Sequence, residues 1–536
     1  MKNRKWLLIL VLCLALSGCG KSETGQEDSF TAVGGEGTET VIENMLTLSM
    51  RIPETLNPLL NREETVDRIL KLMYLPLLEF DEMGKANPAV AESWEMGADG
   101  KTVTMHLNKN IMWQNGGKLT ADDVVYSFRT IQNAPEDSVY KKVVNYVSDC
   151  TKSGEYTVVF TFHENFSSNL SALRFPVISA AYYDGNNDPK AAVNQTPMGN
   201  GLYSMYTHKQ ASEMILKVSE FYHGEIPKIS HIRVKITAGE ETDINSFEQG
   251  MTDVLVTKAT EAGRYVDEGI SGMYQYTSNE YDFIGFNFQK ELFQDRALRQ
   301  AVAYALPKEN LMDSVYLNYA EMTNTPINPK NWMYEENVAL YGYNPSMAAT
   351  FLKNSGWADS DGNGILEKKT ENGQTKQLKA TILVNAENTA RRQIASKLKE
   401  ELTAIGFDIT IDVQNFAKYQ EKFMNGQFDM IVGGWHCSEV IDLTPFFGTA
   451  GHLNYIGYTN EEMDQLLAAA RNATGEGQTL LAYSSLQKKL AEELPYISIA
   501  YRNEAVFASK NVGGTISPTA FNVFQGIETW TYEKGE

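Results

Sequence analysis

Residues 433–445 read GGWHCSEVIDLTP, and they concentrate most of the chemistry-bearing side chains of the chain. His436 beside Cys437 has the composition of a nucleophile with its base. His436 with Glu439 and Asp442 offers metal-ligand types, while Trp435 and Ser438 suit the lip of a pocket that only holds a solute. In an extended segment neighbouring side chains point to opposite faces, which works against a hydrogen bond between His436 and Cys437. A hydrolytic zinc site needs two histidines at helical spacing, but the seven histidines stand at 106, 163, 208, 223, 231, 436 and 452, without an H-E-x-x-H. There is no G-x-S-x-G elbow and no C-x-x-C pair. His436 therefore reads as a neutral pocket hydrogen-bonder, and Cys437 as a small core residue.

A second stretch, DSDGNGILE from Asp359, alternates Asp359, Asp361 and Asn363 as calcium ligands do, with Gly364 at the turn. An EF-hand loop would close with glutamate at its twelfth position, where Thr370 stands. The stretch reads as an Asx-turn loop, with calcium at Asp359, Asp361 and Asn363 the alternative and no other cofactor expected.

The elements that must position these residues are legible between 378 and 435. LKATILVN is strand-like, and TARRQIASKLKEELTAIG is a helix with Ile394, Leu398, Leu402 and Ile405 in line and Gly406 at C′. FDITIDV alternates with period two, FAKYQEKFMNG is helical, and FDMIVGG is a short apolar strand. This order predicts a mainly parallel sheet covered by helices, with ligands beyond the carboxyl ends of the strands. Trp435 and its neighbours follow such an end. Elsewhere, KTVTMHL predicts a half-buried strand, Thr120 and Asp123 a capped helix start, and Leu298, Ala301, Val302 and Ala305 a helix face ending before Pro307.

The chain opens with Lys2, Arg4 and Lys5, then a short apolar run from Trp6 to Leu16, an export signal too short to span a bilayer. Leu16-Ser17-Gly18-Cys19 resembles the bacterial lipobox, which makes residues 1–18 the signal and Cys19 the lipidated first residue. Residues 19–44 read as a flexible tether. The formal charge is −21, or −24 without the three n-region cations, which argues against nucleic acid as a partner. Cys150 and Cys437 are too few for a disulfide framework.

Several segments in order carry a resemblance: ETLNPLL from Glu54, NPAVAESWEMGADGKTVTMHLNKNIMWQNGGKLTADDVVYSF from Asn87, TPMGNGLYSM from Thr196, and LQKKLAEELPYISI from Leu486. Together they resemble the peptide/nickel-binding family of ABC-importer receptors, the family 5 extracellular solute-binding proteins. The resemblance implies a two-lobed α/β fold of the type II, cluster C periplasmic-binding-protein kind. One lobe would comprise 45–74, 196–281 and 501–536, with an inserted subdomain at 75–195; the other lobe would span 282–500. The chain would cross between lobes near 279–287 and 496–503, and hinge closure would bury the ligand.

The implied activity is binding without catalysis, with a monomer delivering a peptide or peptide-like solute to a permease and its ATPase subunits from the extracytoplasmic face of the membrane. In the peptide binders of this family a Gly-Trp pair is followed, after two intervening residues, by an aspartate that grips the ligand's α-amino group. Here Gly434 and Trp435 match, but Ser438 takes the aspartate position, leaving Glu439 or Asp442 to supply the charge. Asn57, beside the cleft in the family, and Tyr281 and Asn287, flanking a crossing strand, complete the ligand-binding candidates with Trp435, His436, Ser438, Glu439 and Asp442. Another cargo, such as an oligosaccharide or a metal chelate, and an extracellular hydrolase are the alternatives.

Overall fold

The computed structural model describes residues 30–33, 39–42, 45–258, 263–370 and 372–533. The chain separates into two compact units, residues 1–45 and 46–536. In the first, Phe30–Val33 pairs antiparallel with Glu39–Ile42, so the stretch read as a tether carries a short hairpin built from β-branched and aromatic residues. The signal residues and Cys19 lie outside the described residues. No described helix is long and apolar enough to cross a membrane.

In the second unit three sheets organise the chain. Leu46–Met50 runs parallel to His231–Ile236, and Glu213–Val218 and Tyr203–Lys209 continue that sheet antiparallel. A four-stranded antiparallel sheet follows the order Ala91–Met96, Thr102–Leu107, Thr157–Phe162, Val147–Gly154. Val103, Met105 and Leu107 all face inward, as the period-two pattern requires. Asp123 accepts the Thr120 N–H at 2.9 Å at the start of the helix Ala121–Gln132, and its other oxygen accepts from Ala180 N–H.

The third sheet is mixed and has seven strands. Its order is Val254–Thr257, Tyr496–Ser509, Ser271–Phe286, Met430–His436, Lys379–Asn385, Asp408–Gln414, with Ala320–Met322 also on Tyr496–Ser509. The last three in the main order are mutually parallel, as the strand–helix alternation between 378 and 435 predicts. The helix Thr389–Ala404 buries Ile394, Leu398 and Leu402 against them, and Gly406 closes it with φ +98°.

The two long strands, Ser271–Phe286 and Tyr496–Ser509, run through separate hydrophobic cores. Tyr276, Val506 and Ala508 join a core built mainly from residues 46–254. Ile284, Phe286, Ile497 and Ile499 join one built from residues 284–500. Between these ends the ladder is interrupted. Thr277 pairs with Asn503 and Tyr281 with Tyr501, so Ser278, Asn279 and Glu280 oppose Arg502 alone. Such a bulge bends the strand and redirects its side chains.

Candidate functional site

A cavity of about 910 Å³ opens beside this bulge, at the upper end of the range of small-molecule sites. Its wall combines Thr277 and Asn279 of one long strand with Tyr501 and Asn503 of the other. To these it adds residues 165–171, 326–333 and 436–443, which come from distant parts of the chain. Aromatic pairs stiffen it: Tyr146 stacks on Phe166 at 5.6 Å, and Phe80 on Phe521 at the same distance.

Four of the sequence candidates come together on this wall: His436, Ser438, Glu439 and Asp442. Four others do not line it. Asn57 is fully buried in an Asx turn; its Oδ1 accepts the Leu59 N–H at 3.0 Å and its Nδ2 donates to Asn194 Oδ1 at 2.9 Å. Tyr281 shares a 2.7 Å hydrogen bond with Ser498 deep in the sheet. Asn287 donates to the Gly426 and Phe428 carbonyls and ties down the start of the loop after its strand. Trp435 packs among Phe283, Phe423 and Phe446, with ring centroids 5.0–6.2 Å away, and so belongs to the core beneath the wall. Cys437 contacts Tyr501 OH at 3.6 Å, and burial pushes its thiol up to about 12, leaving it protonated and not nucleophilic.

The carboxylates on the wall have partners. Glu439 takes a 2.9 Å ion pair from Arg174, both side chains being largely shielded. Asp442 accepts the Thr444 N–H at 2.9 Å and lies 3.7 Å from Arg471. Ser438, in the aspartate position of the motif, accepts the Val440 N–H at 3.1 Å. By contrast Asn169 and Asn503 each keep an amide oxygen buried with no hydrogen-bond partner among the described residues. Both are amide acceptors whose hydrogen bonds the described residues leave unmade. Spacing reasoning missed them, together with Arg174. Yet one signal was present: Arg502-Asn503-Glu504 interrupts a mostly apolar fourteen-residue strand.

His436 Nδ1 lies 3.2 Å from Glu280 Oε1. That hydrogen bond raises the His436 pKa above its ordinary value, and the imidazolium in turn holds Glu280 below the usual carboxylate range. A raised histidine pKa contributes stability fully below the ordinary value of about 6.5, and that stability is lost as pH rises through the raised value. Thermal unfolding followed from about pH 6 to about pH 8 should show wild type losing its advantage over His436→Gln as pH rises. An advantage that is flat or grows with pH contradicts the pairing.

Behind the wall sits a buried charge cluster. Asp282, 1 % exposed, accepts from Arg391 Nε at 2.8 Å, Arg502 Nε at 2.7 Å and Tyr316 OH at 2.9 Å. Gly434 stands opposite Asp282 in the ladder, and a Cβ there would lie 1.9 Å from Arg391 Nη2. The glycine of the Gly-Trp pair is thus the gap through which Arg391 crosses the strand.

The loop from Asp359 lies away from the cavity. Asp359 Oδ1 accepts the Gly362 and Asn363 N–H groups, Asp361 accepts from Asn363, and Asn363 Oδ1 accepts from Ile365, a nest of Asx turns.

Residues 85–456 match the family model described as "Bacterial extracellular solute-binding proteins, family 5 Middle". The oligopeptide-binding protein AppA of Bacillus subtilis (strain 168) is 26% identical over 541 residues, covering 96% of each chain. The solved structure of AppA from Bacillus subtilis in complex with a nonapeptide matches 92% of this chain and 99% of its own, with TM-score 0.61 and 24% identity. HbpA2 from Haemophilus parasuis matches 92% of this chain and 100% of its own, with TM-score 0.78 and 20% identity.

Proposed function

The chain belongs to the bacterial extracellular solute-binding proteins of family 5, a two-lobed α/β fold, and from that premise we propose that it captures a peptide or peptide-like solute for an ABC importer. The observation that carries this reading is the 910 Å³ cavity beside the strand bulge, walled by aromatic rings and unpartnered amide acceptors. Main-chain N–H groups of a peptide are the donors such acceptors suit. A relative of near-full-length coverage is named for oligopeptides and has a structure holding a nonapeptide.

Two separate hydrophobic cores support a division into two lobes. Residues 45–74, 196–281 and 501–536 form one lobe, 75–195 its subdomain and 282–500 the other, with the two long strands as the crossings. The bulge at 278–280 concentrates the bending there, and closure brings residues 165–174 onto 439–442. His436, Ser438, Glu439 and Asp442 form the polar edge of the site. The protein works as a monomer held to the extracytoplasmic face by lipid on Cys19, and it binds its cargo without transforming it.

Native mass spectrometry of the purified protein tests the reading. Retained mass should correspond to short peptides, whereas a sugar or chelate mass, or turnover of added peptide, would overturn it. Because Arg174 already neutralises Glu439, a free α-amino group gains little there, so a peptide and its N-acetylated form should bind within about threefold of each other. Arg174→Met should release Glu439 and favour the free amine. A strong free-amine preference in wild type argues against this account of the edge.

A further inference from the structure

We propose that the loop 359–367 binds one calcium ion through the carboxylates of Asp359, Asp361 and Glu367. The loop is closed at its neck by Ala358 and Glu367, which exchange backbone hydrogen bonds of 3.0 and 2.9 Å. That closure brings Glu367, the ninth residue from Asp359, back over the two aspartates. One oxygen of each carboxylate lies within 4.8 Å of the others. Oxygens on opposite sides of a calcium ion, each about 2.4 Å from the metal, stand about 4.8 Å apart.

The acidic cluster alone would be an ordinary exposed turn, but Glu367 is different from its neighbours. It is 8 % exposed, its Oε1 accepts the Ser360 N–H at 2.7 Å, and its Oε2 is buried without any hydrogen-bond partner among the described residues. A buried, unpartnered carboxylate oxygen on a side chain grouped with two further anions is unfavourable until a cation satisfies it.

The ligand set therefore differs from the one alternation suggests. Asn363 donates to Asp361 Oδ2 and accepts from Ile365, so it shapes the loop, and Glu367 takes its place at the ion. Hard carboxylate oxygens select calcium or magnesium over softer-ligand metals. An open site on a solvent-exposed turn, with water completing the shell, suits the larger and less geometrically demanding ion.

Bound calcium would stiffen the edge of the seven-stranded sheet. Leu366 N–H donates to the Gly406 carbonyl at the end of the helix Thr389–Ala404, and Leu378 N–H, beside the strand Lys379–Asn385, donates to Leu366. No loop residue lines the cavity, so solute binding does not depend on the ion.

The test uses the purified protein stripped with EDTA, titrated with calcium chloride by calorimetry and followed by thermal unfolding. One ion per chain should bind with Kd on the order of 0.1–1 mM and raise Tm, with magnesium chloride giving a smaller rise at equal concentration. Glu367→Gln and Asp361→Asn should each weaken calcium binding about tenfold or more while leaving the cation-free Tm and solute retention near wild type. If Glu367→Gln lowers the cation-free Tm through its bond to Ser360, the exposed Asp361→Asn supplies the deciding comparison. No heat and no Tm change at about 10 mM calcium, or an undiminished response in Asp361→Asn, overturns the site.

Discussion

Asp282→Ala is expected to lower the stability of the folded protein by about 3–5 kcal/mol, the cost of removing one partner from a buried ion pair. Among the described residues Asp282 is the carboxylate that pairs with both Arg391 and Arg502, and Tyr316 OH shares its second oxygen. Without it two largely buried guanidinium groups face one another with no anion between them. The effect should reach the cavity as well, because Arg502 adjoins Asn503 on the wall. Denaturant unfolding should therefore show a markedly lower midpoint, and native mass spectrometry a loss of retained solute. Tyr316→Phe, which removes one hydrogen bond and leaves the ion pairs, should cost only about 1 kcal/mol. An Asp282→Ala midpoint no lower than that of Tyr316→Phe contradicts the assignment of this cluster as the anchor of the crossing strands.

Gly199→Ala should cost about 3 kcal/mol or more, as overpacking against atoms that cannot retreat. A Cβ at Gly199 would stand 1.9 Å from the Met73 carbonyl oxygen, and one at Gly201 would stand 2.7 Å from the Met73 carbonyl carbon. These are main-chain atoms held in place from both sides. Met73 O accepts the N–H groups of Asn200 and Gly201, Tyr203 N–H donates to Leu72 O, and Asn200 Oδ1 accepts from Leu75. The segment is thus a clamp on the chain where the helix Glu64–Leu70 hands over to the strands beyond it. Asn200→Ala, which keeps the close approach and removes one bond, should be milder. Equal midpoints for wild type and Gly199→Ala would show that the two backbones are not in contact.

The elements were readable wherever a periodic pattern met a local stop. Val103, Met105 and Leu107 turn inward, Ile394, Leu398 and Leu402 line one helix face, and Gly406 ends that helix because only a positive φ continues the chain there. The family was legible from motifs, but the reasons for the motifs were not. Gly199 is fixed by Met73 and Gly434 by Arg391, and no local rule reveals such distant partners. For the site, the segment after Trp435 was found because it follows a strand end, and its polar residues do line the cavity. Trp435 and Asn57 carry the types of ligand contacts, yet packing and an Asx turn engage them instead. Asn169, Asn503 and Arg174 have no spacing relation to one another, so only the folded chain makes them neighbours.

The position of Tyr496–Ser509 between Ser271–Phe286 on one side and Val254–Thr257 and Ala320–Met322 on the other has a consequence for how the chain is made. A ribosome makes this strand after Val254–Thr257, Ser271–Phe286 and Ala320–Met322, yet all three hydrogen-bond to it. Until it emerges, those three wait with unfilled backbone partners, and the sheet remains a gap flanked by edges.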